Sequence, residues 1–304
     1  WIFDTILFKK IQEGFGGNLL FFIGGGAILD TEMQQFFYAI GLPICQAYGL
    51  TEASPAISSN VPNCVKLGSS GKPVKNMELK IVDSDGNILQ QGDKGEICIK
   101  GDNVMLGYWN NPTATAETIK NAWLHTGDMG YVDKDGFLYV LGRFKSLLIG
   151  NDGEKYSPEG IEDAILIHSP HIQQVMLHNN QNPYTVGMIV PDMDAINREL
   201  KHRGIEKVSE AGNAEALKMI QNDINQFKKG GKHEGMFPER WLPATIAILP
   251  EPFSSDNKML NALLKMVRGK INEHYSKELE FLYTPQAKNI ENDMNLGAIK
   301  KWNS

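Results

Sequence analysis

The chain has 304 residues and a mass of 33.9 kDa, enough for about two domains at ~100–200 residues each. Apolar residues make up 42% and charged residues 22%, ordinary values that exclude disordered, collagen-like and low-complexity chains. A net charge of −6 and a pI near 5.7 argue against nucleic acid or an anionic membrane surface as the main partner.

Residues 2–11 place apolar side chains at helical spacing. The run Leu19–Ile23 reads as a buried strand, followed by the turn Gly24-Gly25-Gly26. Asp30 or Thr31 suits the N-cap of the next helix, which Gly41-Leu42-Pro43 ends, and Ile44–Tyr48 reads as a second strand. Strand, glycine turn, helix and strand make one α/β unit with parallel strands. From about residue 65 short alternating runs, Met77–Val82, Glu96–Lys100 and Tyr131–Val140, are separated by Asp/Gly turns. They predict a small antiparallel β subdomain. Ser157-Pro158-Glu159 predicts a capped helix start. Strands follow at 174–178 and 185–190, a long polar helical stretch at 192–230, a strand at 244–249 and a basic helix at 258–276. The expected fold class is α/β plus α+β. One domain spans 1–143 (α/β unit 1–64, β subdomain 65–143) and a smaller α+β domain spans 144–304.

No Walker A, His-Glu-x-x-His, Gly-x-Ser-x-Gly or Cys-x-x-Cys string occurs. Cys45, Cys64 and Cys98 are too scattered for a metal site and too few for a disulfide framework. The seven histidines show no ligand spacing, so each reads as exposed or packed. A reduced, cytoplasmic compartment fits. No apolar run approaches the ~20 residues needed to cross a bilayer, so no integral membrane segment is expected and only peripheral membrane contact is left open. The glycine turn taken alone reads more simply as a tight turn than as a nucleotide cradle. Tyr48-Gly49-Leu50-Thr51-Glu52 is more informative, because a ring, a hydroxyl and a carboxylate just after a buried strand can stack a base, bond a phosphate and hold Mg²⁺. Thr126-Gly127-Asp128 offers a carboxylate suited to ribose hydroxyls, and Gly142-Arg143 a guanidinium.

Taken in order, FIGGGAIL (23–29 with Phe22), QAYGLTEAS (46–54), GYWNNP (107–112), WLHTGDMG (123–130), GRFKSLL (142–148) and YSPEGIE (156–162) carry a family resemblance. The sequence resembles the acyl-adenylate-forming (AMP-binding) superfamily, most closely its long-chain fatty acyl-CoA synthetases, from residue 1 to about 276. The tail 277–304 resembles nothing usable. The resemblance implies that Gly25 and Gly26 lie along the adenylate and acyl group. It also makes Gln46, Tyr48, Gly49 and Thr51 nucleotide-binding, with Tyr48 against adenine and Thr51 on the α-phosphate. Glu52 would ligate Mg²⁺, and Asp128 and Arg143 would bind ribose. Lys145 would be the hinge of a rotating C-terminal domain, and Gly150–Lys155 a loop that swings in for thioester formation, with Gly153 near the CoA pantetheine. Lys265 is the expected catalytic lysine and Lys258 the alternative. The implied reaction activates a fatty acid with ATP to acyl-AMP and passes it to CoA; a carrier-protein acceptor, or a non-catalytic nucleotide-binding homologue, is the alternative. Two departures stand out. The family's Ser/Thr/Gly-rich phosphate loop does not occur in the sequence, which reads as the C-terminal portion of a longer enzyme, inactive alone. Gly24 stands where relatives usually have Ser.

Overall fold

The computed structural model describes residues 8–27, 29–262 and 264–303, and for Lys145 the backbone only. Their contacts divide the chain into two compact units, Trp1–Lys145 and Ser146–Ser304. Both mix helices and sheets in the order the sequence patterns suggest.

In the first unit, Phe22–Gly24 and Ile44–Gly49 pair in parallel, with Gly24 beside Gln46. The first strand is shorter and later than the Leu19–Ile23 run. The helix between them, Thr31–Ala39, is capped by Asp30, whose carboxylate accepts from the Met33 N–H at 2.9 Å. Gly41, at φ +79°, lets the chain leave that helix and turn back. Ala56–Ser59 and Lys72–Pro73 complete a four-stranded sheet. A second, antiparallel sheet contains Met77–Val82, Gly95–Gly101, Ile119–Lys120, Trp123–Val132 and Leu138–Arg143. Its alternation is simple: Ile97, Ile99 and Leu124 enter a core with Ile57, Ile81 and Leu138, which turns Glu96, Cys98 and His125 to the other face. The helical pattern of residues 2–11 falls largely outside the described residues; within them a short helix spans Lys9–Gly14.

The second unit is built on a three-stranded sheet, Ile172–His178, Val186–Pro191 and Thr245–Ile248, covered on both faces. Successive residues go to opposite cores. Val175, Leu177, Ile189, Ile246 and Ile248 face one cluster, while Met176, Met188, Val190 and Ala247 face the other. The unrecognised tail is part of this body: Leu279, Leu282, Ala298 and Ile299 are buried in these clusters. Asn295 is fully buried and accepts from the Ile248 N–H at 2.8 Å while donating to the Ile246 carbonyl at 3.2 Å, which satisfies the free edge of the last strand.

Three expectations are corrected here. The polar stretch 192–230 is two helices, Met193–His202 and Glu210–Asn225, separated at Gly204 (φ +68°) and restarted by Ser209, whose hydroxyl accepts from the Gly212 N–H. The helix after Ser157-Pro158 begins at Glu159, with no side-chain cap at Pro158. The basic helix 258–276 is shorter, covering only Arg268–His274 and Ser276–Leu282. Before it the chain folds into a turn in which Leu260 bridges Met266. Asn257 Oδ1 accepts from the Ser254 and Met259 N–H groups, and Asn261 Oδ1 accepts from the Lys265 N–H. These side chains compete directly with helix formation.

Candidate functional site

At the end of the parallel strand pair, the glycine turn and the strand Ile44–Gly49 are tied together by Gln46, whose amide donates to the Ala27 carbonyl at 2.8 Å. A side chain on Gly25 would lie 3.4 Å from the Ala47 carbonyl oxygen. The Gln46 Oε1 atom is buried without a hydrogen-bond partner among the described residues. An orphaned acceptor beside a glycine turn suits a ligand N–H group, since leaving it unpaired costs about 1–3 kcal/mol.

Tyr48, Asp128 and Arg143 converge. Their separation in sequence is closed by the sheet, which pairs Asp128 directly with Arg143. The Tyr48 hydroxyl donates to Asp128 Oδ2 at 2.5 Å, and Arg143 Nε lies 3.3 Å from Oδ1. Asp128 is buried, whereas the guanidinium is largely exposed. Burial and the neighbouring Asp128 carboxylate push the Tyr48 phenol well above its ordinary range, so it remains a donor. The Tyr48 ring packs against the core of the β sheet. Thr126 holds the turn: its hydroxyl donates to the Ile97 carbonyl at 2.8 Å and accepts from the Asp128 N–H at 3.1 Å. A carboxylate with a guanidinium beside it can bind a pair of neighbouring hydroxyls.

Gly49 then lets the chain bend sharply; a Cβ there would sit 2.0 Å from the Pro55 carbonyl oxygen. The short 3₁₀ turn Thr51–Ala53 follows, with Thr51 exposed. Glu52 Oε1 accepts from the Tyr108 hydroxyl at 2.8 Å, and the Glu52 carbonyl takes the Met105 N–H. Tyr108 belongs to the GYWNNP string, but nothing in its spacing from Glu52 signals the contact. A carboxylate oxygen of this kind is the donor Mg²⁺ takes, so the residues present fit that ion.

The remaining expected residues lie elsewhere. Lys145 is the last residue of the first unit. In the second unit, Gly153 sits at φ +82° in the loop between the Leu148–Gly150 and Lys155–Tyr156 strands, with open space around its Cα. The adjoining Glu154 carboxylate accepts from Arg240 at 2.7 and 2.9 Å and from the Trp241 indole at 2.9 Å. Lys258 and Lys265 are both exposed on the turn before Arg268. That turn is anchored by a buried ion pair: Arg268 bonds both oxygens of Glu162, which also accepts from the Leu177 N–H. Burial pushes the Glu162 carboxyl above its ordinary range, and Arg268 opposes the shift.

His125, read from the sequence as exposed or packed, is packed beside a cysteine and a carboxylate. Cys98 Sγ lies 3.4 Å from His125 Nδ1, which is 2.7 Å from Glu96 Oε2. Linear spacing hides this cluster because it forms across two strands; the alternation Glu96-Ile97-Cys98 and the pairing of Cys98 with His125 were the available signal.

The chain as a whole is similar to known proteins. A family model described as AMP-binding enzyme matches residues 2–109. The chain is 29% identical over 289 residues to the long-chain-fatty-acid–CoA ligase FadD15 of Mycobacterium bovis, covering 94% of this chain and 45% of that protein. It is 33% identical to long-chain-fatty-acid–CoA ligase 5 of Rattus norvegicus, covering 93% and 41%. Among solved structures, the adenylation domain of a carboxylate reductase from Mycobacterium chelonae superposes with a TM-score of 0.70 at 26% identity, covering 93% of this chain and 41% of that one. The O-succinylbenzoate coenzyme A synthetase of Bacillus subtilis in complex with AMP gives 0.59 at 26% identity, covering 86% and 49%. The chain therefore spans less than half the length of these relatives.

Proposed function

The N-terminal part of this chain belongs to the AMP-binding enzyme family, and on that premise we propose that the protein is an AMP-forming fatty acid–CoA ligase. The observation that carries the reading is the convergence of Tyr48, Asp128 and Arg143 beside the Thr51-Glu52 turn. Asp128 and Arg143 bind the ribose hydroxyls of ATP, and Tyr48 fixes the Asp128 carboxylate while its ring borders the adenine. Gln46 Oε1 accepts from the base, and Gly25 and Gly26 let the acyl-adenylate lie against backbone. Thr51 donates to the α-phosphate. Mg²⁺ held by Glu52 supplies charge stabilisation at the phosphates.

The fatty acid carboxylate attacks the α-phosphorus and pyrophosphate leaves; the CoA thiolate then attacks the acyl carbonyl and AMP leaves. Lys265 stabilises charge during the first step only. Lys145 is the pivot between the two steps, and the loop with Gly153 admits the pantetheine. Names of relatives at about 30% identity support the fatty acid and CoA as substrates. The 304 residues contain no Ser/Thr/Gly-rich phosphate loop, so by themselves they are proposed to bind AMP without turning over ATP. Three cysteines without disulfides fit a cytoplasmic reaction. Among the described residues no helix is long and apolar enough to cross a membrane.

The test is pyrophosphate exchange in the full-length protein. Glu52→Gln is expected to slow it by roughly 10²-fold, the scale of losing one charge-stabilising group. Lys265→Ala is expected to abolish exchange yet spare thioester formation from presynthesised acyl-AMP. Unchanged exchange in Glu52→Gln, or equal loss of both half-reactions in Lys265→Ala, contradicts these roles.

A further inference from the structure

Outside the candidate site, the outer face of the antiparallel sheet gathers three side chains of mixed donor chemistry. Glu96 and Cys98 stand two residues apart on the Gly95–Gly101 strand, and His125 is the direct cross-strand partner of Cys98. With Ile97, Ile99 and Leu124 in the core, the pleat brings all three to one side. Their ligand atoms, a carboxylate oxygen, Sγ and Nδ1, lie within 4.8 Å of one another. We propose that Glu96, Cys98 and His125 form a binding site for a borderline-soft divalent cation, with Zn²⁺ the best fit.

Distances support the assignment. Zinc bonds of ~2.3 Å to sulfur and ~2.0–2.2 Å to nitrogen and oxygen place tetrahedral neighbours about 3.3–3.6 Å apart. The Cys98 Sγ to His125 Nδ1 separation is already 3.4 Å. The His125 Nδ1 to Glu96 Oε2 separation is 2.7 Å, a hydrogen-bond length that opens by about 0.6 Å when an ion replaces the bridging proton. His125 and Glu96 are each about one-fifth exposed, which gives the ion a way in while Cys98 stays buried. The outer sphere is present too, because Glu96 Oε1 accepts from the Gly127 N–H at 3.1 Å and is oriented by it.

Donor chemistry sets the choice of metal. One thiolate, one imidazole and one carboxylate select zinc over magnesium or calcium, which take oxygen donors. Binding releases the thiol proton of Cys98 to solvent, and the neutral His125 ring carries its proton on Nε2 in place of Nδ1. Water fills the fourth position. Burial, and then the Glu96 carboxylate, hold the Cys98 thiol above its ordinary range, with Lys80 and Lys120 only partly opposing that shift; shedding the thiol proton therefore costs part of the binding energy, and the site is expected to be weaker than a four-ligand structural zinc centre.

The experiment uses the purified chain, stripped with a chelator and titrated with Co²⁺ alone. The expected result is one ion per chain with a thiolate-to-cobalt charge-transfer band that Zn²⁺ displaces. Cys98→Ser should remove the band, whereas Cys45→Ser and Cys64→Ser should retain it. His125→Asn, at a partly exposed position, should weaken the affinity by at least the ~10–100-fold typical of a lost outer-sphere partner, and serves if Cys98→Ser fails to fold. Absence of the charge-transfer band in the unmodified chain, its persistence in Cys98→Ser, or unchanged affinity in His125→Asn overturns the proposal.

Discussion

The link between Tyr48 and Asp128 joins two segments eighty residues apart in sequence, and its worth can be measured by a double-mutant cycle. Tyr48→Phe keeps the ring and removes the O–H that donates to Asp128 Oδ2 at 2.5 Å. The Asp128 side chain is 9% exposed and Arg143 is 61% exposed. The guanidinium contact is therefore screened and contributes about 0–1 kcal/mol, and the phenol carries most of the stabilisation. A hydrogen bond to a charged group contributes about 1.5–3 kcal/mol, so Tyr48→Phe and Asp128→Asn should each destabilise the first unit by roughly that amount. The double variant should cost about 1–2 kcal/mol less than their sum, which is the coupling between the two groups. Urea unfolding, with the slope checked for constancy, supplies the four values. Additivity within about 0.5 kcal/mol would show that the two groups do not depend on one another.

Three further outcomes follow from packing and charge. Gly49→Ala places a methyl group 2.0 Å from the Pro55 carbonyl oxygen; relieving that overlap should cost about 3 kcal/mol or more, and wild-type stability in urea unfolding would mean the strand end is not this close. Glu162→Ala should cost about 3–5 kcal/mol by stranding the Arg268 guanidinium, while Glu162→Leu with Arg268→Met should recover most of the loss; calorimetric unfolding decides, and no recovery would place the cost in packing. Burial holds the His178 imidazole below its ordinary value of 6.5. Protonation then favours the unfolded chain, so stability present above that value is lost as pH falls. His178→Gln should flatten the pH 7 to 5 unfolding profile, and an unchanged slope would remove His178 as its source.

The parallel strand pair, the antiparallel β sheet and the central sheet of the second unit were legible because their patterns are local. Period-two alternation at Met77–Val82 and Gly95–Gly101, and the Asp30 cap, are set by neighbours in sequence. Where side chains compete with the backbone, the pattern misleads. Lys265 was read on a helix, but Asn257 and Asn261 divert the chain into a turn. The tail lacked a motif, yet Asn295, Ala298 and Ile299 complete a sheet edge and a core, a task many sequences can meet. Within the candidate site, residue types signalled Tyr48, Glu52, Asp128 and Arg143, while their partnerships came only from strand register. The Tyr108–Glu52 contact and the Glu96, Cys98 and His125 cluster are of the same kind.

Asp128 and its neighbours are proposed to form an adenosine monophosphate site. Isothermal titration of the chain with AMP, beside Asp128→Asn, addresses it without requiring turnover. Binding near the millimolar range, about 4 kcal/mol, is expected for the unmodified chain. Asp128→Asn should weaken it by at least tenfold, about 1.4 kcal/mol. Equal affinity in the two proteins, or no binding to the unmodified chain, would contradict the claim.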